Sequence, residues 1–96
     1  MAANDPNLRR YWFEFESLGQ DTTAILKLGC GVTAYDEKDA TALIRDRIFS
    51  GAALPHVRKI VADIDVRSLD QDHVVPNMGS VVWRGIWFPT GYEHNG

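Results

Sequence analysis

The chain has a single cysteine, Cys30, so no internal disulfide can form. Small secreted domains commonly depend on such staples, and their absence points to a reducing compartment. No apolar run approaches the ~20 residues that span a bilayer. Residues Met1 to Arg10 are polar and lack the apolar segment of a signal peptide. There is also no excess of positive charge: ten Lys and Arg stand against thirteen Asp and Glu, a net charge of −3. A nucleic-acid binder needs a basic stripe to displace counterions from phosphates, and an anionic membrane attracts basic segments, so neither partner is expected. The sequence shows no internal repeat, no low-complexity tract and no G-x-G-x-x-G or Walker pattern. No His/Cys spacing fits a zinc site, and no cofactor is implied. Together these absences describe a cytoplasmic protein whose sequence names no reaction.

What is present is an ordinary globular composition. Apolar residues make up 45% and charged residues 24%, enough for one hydrophobic core. Ninety-six residues make one domain, 1–96, with flexible ends at 1–8 and 90–96. Arg9 to Ser17 reads as a strand, with Tyr11, Phe13 and Phe15 on one face and Trp12, Glu14 and Glu16 on the other. Within Leu18 to Gly29, a short helix is read over Thr22–Leu28, capped by Asp21 and closed by Gly29, with a second hairpin strand as the alternative. Gly31 to Tyr35 is a short strand. Residues 36–50 form the clearest element: Asp36 is an N-cap, Asp39 its capping-box partner, and Ala40, Leu43, Ile44 and Ile48 form an apolar stripe at helical spacing. Acidic residues come first and Arg45 and Arg47 last, which suits the helix dipole, and Gly51 is the stop. Val57 to Arg67 and Val81 to Phe88 complete four strands, with loop 68–80 between them. The fold class is therefore α+β: a four-stranded mixed or mainly antiparallel sheet with one long helix on one face. The expected core is Phe13, Phe15, Val32, Ala34, Leu43, Ile44, Ile48, Ile60, Ile64, Val66 and Ile86.

One helix covers one side of such a sheet. Strand alternation gives the other side Trp12, Glu14, Glu16, Asp63, Asp65, Trp83 and Trp87. If that side stays open, it is an acidic, tryptophan-bearing surface suited to a protein partner or to a second copy in a homodimer. Alternatively loop 68–80 or the short helix folds over it, and the tryptophans become core.

The candidate chemistry is sparse. Glu14, Glu16, Asp63 and Asp65 would suit a hard cation if they converged, but E-x-E and D-x-D pairs on strands are commonly solvated stripes, and no glycine-bearing ligand loop accompanies them. His73 lies beside Asp70 and Asp72, where it is either a general base or a loop histidine bonded to local backbone. Cys30, between Gly29 and Gly31, reads as a buried small residue at a turn and not as a nucleophile. Arg84 reads as a cross-strand partner of Asp63 or Asp65, or else as a phosphate or carboxylate ligand.

Gly31-Val32-Thr33-Ala34-Tyr35-Asp36, Asp65-Val66-Arg67-Ser68-Leu69, Pro76-Asn77-Met78-Gly79 and Trp83-Arg84-Gly85-Ile86-Trp87-Phe88-Pro89 resemble small bacterial hypothetical proteins of single-domain size, over residues 10–89. The resemblance implies a bacterial, cytoplasmic protein and carries no activity or catalytic residue. The expected function is a non-enzymatic interaction module, of the immunity or regulatory type. The alternative is a small enzyme or ligand-binding domain using His73, Asp63, Asp65 and Arg84.

Overall fold

A computed structural model describes residues 7–16, 28–51 and 56–89. The elements are β1 (Arg9–Phe15), β2 (Cys30–Ala34), α1 (Glu37–Arg47), β3 (Val57–Ala62) and β4 (Gly85–Phe88). They form one four-stranded sheet in the order β3-β1-β2-β4, and every neighbouring pair is antiparallel. The α+β architecture expected from the sequence is present. The short helix proposed for 18–29 lies outside the described residues apart from Leu28 and Gly29.

Helix α1 forms where its stripe and cap coincide. The Asp36 carboxylate accepts the Asp39 amide at 2.7 Å, which satisfies a helix-start N–H. Asp39 in turn accepts the Tyr35 amide at 3.1 Å, one residue outside the position a capping box would use. The helix closes through Ser50 (φ 54) and Gly51 (φ 86), with the Gly51 amide donating back to the Arg45 carbonyl at 2.9 Å. This left-handed turn ties off an orphan carbonyl just beyond the helix, which ends at Arg47 with Ile48 as its C-cap, short of the expected residue 50. Ala40, Leu43 and Ile44 are buried against Tyr11, Phe13, Val32, Ala34 and Ile86. Phe15, Ile48 and Ile60 pack half-buried at the margin of the same core.

The second face is not open. The long connection from Asp63 to Arg84 folds over it and places Ile64, Val66, Leu69, Val74, Met78 and Val81 on Trp12, Trp87 and Phe88. Strand β3 stops five residues short of the expected Arg67 because Asp63 adopts positive φ (56) and turns the chain. Ile64 and Val66 therefore join the second core and not the first.

Strand β4 is also shorter than expected, and it carries a bulge. Gly31 pairs with Phe88 while Val32 pairs with Ile86, so Trp87 is the extra residue. A bulge breaks strict alternation. Trp87 and Phe88 consequently both join the second core, whereas simple alternation assigns Phe88 to the helix side. The Trp87 carbonyl, freed from the ladder, accepts the Gly79 amide at 2.7 Å on the outer side of β4. A second bulge, between Glu14 and Phe15, makes Arg58 the extra residue of β3. The outer edge of β3 carries no backbone hydrogen bond among the described residues and displays Arg58 and Lys59.

Gly29 and Gly31 give the aromatic layer its floor. A Cβ at Gly31 would run into the Trp87 ring, and one at Gly29 into the Trp12 ring. The centroids of Trp12 and Trp87 lie 6.0 Å apart, and those of Trp12 and Phe88 5.6 Å apart. Gly29-Cys30-Gly31 is therefore the beginning of a strand shaped around two indoles, not the turn read from the sequence. Substituting Gly31→Ala is expected to cost about 2–4 kcal/mol, because Trp87 is held from both sides and cannot retreat. Gly51→Ala meets no atom within 4 Å and should cost about 1 kcal/mol through φ alone. Guanidinium unfolding of the two variants checks this order, and equal losses would remove the steric account.

Candidate functional site

The residues assigned to a partner surface separate into buried and exposed sets. Trp12 and Trp87 retain only 4% and 0% of their accessible surface. They are core, and the expectation that they anchor a partner is corrected by the covering connection. Trp83 lies outside β4 and is 51% exposed. Glu14 is half-buried and pairs with Arg58, while Glu16 lies 3.4 Å from the His56 ring. Asp63 accepts from Arg9 at 3.0 and 2.6 Å, and Asp65 from Arg67 at 3.1 and 3.2 Å. The four carboxylates thus have separate neighbours, an arginine for Glu14, Asp63 and Asp65 and the His56 ring for Glu16. No group of three or more metal-ligating side chains occurs among the described residues.

The Trp87 indole N–H is buried without an acceptor among the described residues. An unpaired buried donor costs about 1–3 kcal/mol. Trp12→Ala and Trp87→Ala are each expected to lose about 3–5 kcal/mol as buried aromatics. Trp87→Phe should lose much less than Trp87→Ala, since removing the orphan donor offsets part of the lost packing. Chemical denaturation of the three variants measures this, and an equal cost for both Trp87 changes would show that the orphan donor is no burden.

The residues proposed for catalysis are not assembled. The Asp70 carboxylate accepts the Asp72 and His73 amides at 2.8 and 3.1 Å and meets the His73 ring at 3.1 Å. This is the local backbone arrangement weighed against a general base, and the His73 side chain is exposed. Asp65 has a similar structural task, capping the turn Val66–Ser68 through the Arg67 amide at 3.0 Å. Cys30 is fully buried, and burial pushes its thiol far above the usual range, so it is no nucleophile.

Arg84 departs from both sequence assignments. It grips Asp39 of α1 at 2.9 and 2.5 Å and lies 5.9 Å from the centre of the Tyr35 ring. The Arg84 hydrogen bonds hold the Asp39 carboxyl below the usual carboxylate range; its partial burial opposes this and the Tyr35 amide assists. This pair fastens the entry of β4 to the start of α1. Its sequence signal is the acidic third position of a helix combined with a late arginine, which periodicity alone does not connect.

Two surface features remain. One is the corner of Val82 and Trp83 next to Arg84 and Tyr35, where Tyr35 is 49% exposed. The other is a shallow, solvent-open groove of about 460 Å³ on the covered side. Its apolar walls are Ile64, Val66 and Val81. Arg10, Asp63, Asp65 and Arg67 form its rim, and neither His73 nor Arg84 lines it. No helix among the described residues is long and apolar enough to cross a membrane. Comparison of the chain with protein-family models, curated proteins and solved structures gives no match.

A carboxyl whose folded pKa is depressed stabilises the fold above its unfolded pKa, and that contribution disappears as the pH falls through the lower folded value. Asp39 therefore contributes fully above about pH 4. Arg84→Gln is expected to lower stability at neutral pH by about 0.5–1 kcal/mol, a modest figure because the pair is partly solvated. The variant should also lose less stability than the parent on acidification below about pH 4, which denaturation at several pH values would reveal.

Proposed function

We propose that the chain is a protein-interaction module whose contact surface centres on Trp83. The observation that carries this reading is the fate of the three tryptophans. Two are buried in one core, while the third is left half in water beside an exposed Val82. Tryptophan is among the residues most enriched as interface anchors, and the Trp83 indole belongs to neither of the two core clusters. Arg84 follows it in sequence and lies 5.9 Å from the centre of the Tyr35 ring, and both side-chain types are frequent in such surfaces. Because Asp39 already neutralises Arg84, the corner presents aromatic and aliphatic area and not a bare charge. The role fits the immunity-type or regulatory classes, which act by contact and need no reaction centre.

Trp83→Ala should change folding stability by less than about 0.5 kcal/mol, unlike the same change at Trp12 or Trp87. A benzophenone side chain installed at position 83 should give a discrete photo-adduct in the native cell. The same group in place of Lys38, exposed on α1, serves as the control. An adduct of twice the chain mass would identify a second copy as the partner, and another discrete mass a different protein. Absence of any adduct specific to position 83 would overturn the reading.

A further inference from the structure

We propose that the groove beside Arg10 receives the C-terminal carboxylate of the partner's chain, with the partner's last apolar side chain lying against Ile64, Val66 and Val81. This rests on the interaction reading and names the partner's chemistry. The charges at the rim do not cancel. Asp63 and Asp65 are each gripped by two guanidinium nitrogens, from Arg9 and Arg67. Arg10 lines the same groove and makes no side-chain hydrogen bond to a carboxylate among the described residues, although its charge also acts on Asp63 and Asp65. Counting Arg9, three guanidiniums therefore surround two carboxylates in a chain whose net charge is −3. An approaching cation would meet acid oxygens that already accept from the Arg9 and Arg67 guanidiniums. A carboxylate would instead meet the Arg10 fork, whose planar donors match it in bidentate fashion.

The shape narrows the source. A small free acid is best held in a cleft that buries 70–90% of its surface. This groove is shallow and open, so most of such a molecule would remain in water. A chain end is different, because the residues before it supply further contacts. Val81 forms one wall of the groove, and the exposed Val82 and Trp83 follow it directly in sequence. Capture of a terminal carboxylate beside a strand edge is an established mode of peptide recognition.

The test uses the full chain, isotope-labelled, and an acetylated pentapeptide ending in leucine. The peptide is supplied with a free carboxylate or as the C-terminal amide. The free acid should shift the amide resonances of Ile64, Val66 and Val81 with a dissociation constant near ~1 mM. Amidation and Arg10→Gln should each weaken binding by roughly fivefold or more. Arg10→Lys should recover part of the loss, since it restores charge without the fork. Arg10 is exposed and its carbonyl, not its side chain, accepts the Ile64 amide at 3.2 Å, so Arg10→Gln should leave unfolding unchanged. Equal binding of acid and amide, tighter binding of isovalerate than of the peptide, or no shift at about 10 mM would each overturn the inference. A carboxylate result that fails while the position-83 adduct persists would remove this groove's role and leave the interaction reading intact.

Discussion

The packing of two indoles onto two glycines organises this molecule. Gly29 and Gly31 flank Cys30 at the start of β2, and each leaves bare backbone where a side chain would stand. Trp12 lies opposite Gly31 across the β1–β2 ladder, and Trp87 lies on it from the other side. Trp12 on β1 and Trp87 on β4 stand on either side of β2, and a side chain on the intervening strand would normally keep their rings apart. Here the missing Cβ atoms lower the floor, and the rings settle against the backbone with Phe88 beside them. Such close approach is one of the few uses that justify glycine inside a strand.

That layer is too apolar to be left in water, and the connection from Asp63 to Arg84 exists largely to cover it. Its order is maintained by side-chain capping and two short 3-10 turns, Val66–Ser68 and Val75–Asn77, with no α-helix or strand. Asp65 and Asp70 turn the chain, Asn77 donates to the His73 carbonyl at 2.8 Å, and Thr33 donates to the Val81 carbonyl at 2.7 Å. The acidic residues and histidine that look chemical in the sequence are the fasteners of this cover. Each face of the sheet thus has its own core, one roofed by α1 and the other by irregular chain.

The helix side was readable from sequence because its rules are local. A cap, a stripe of Ala40, Leu43 and Ile44, and a glycine stop all lie within one short stretch, and the alternation of β1 placed Phe13 on the helix face and Trp12 on the other. The second side depends on nonlocal events. The bulge at Trp87 overturned alternation for Phe88, and the positive φ of Asp63 cut β3 short. Signals did exist. Ile64, Val66, Leu69, Val74, Met78 and Val81 are too many apolar residues for a solvated loop. A glycine on each side of a residue in a strand, in a chain with nearby tryptophans, hints at aromatic stacking on the backbone. The partner surface shifted for the same reason: the face is roofed, and of its three expected anchors only Trp83 escapes. The Asp39–Arg84 pair was out of reach, since it joins residues far apart in the chain and on different elements.

The two sheet edges differ. On β4 the bulged carbonyl of Trp87 is occupied by Gly79, whereas β3 leaves its outer backbone groups unshared among the described residues. Ladders between molecules need a free edge on each participant, and continued growth needs two per molecule. Among the described residues, the Gly79 amide occupies one outer group of β4, so a further strand would meet less competition at β3, where the exposed Arg58 and Lys59 are the charged guards of the edge.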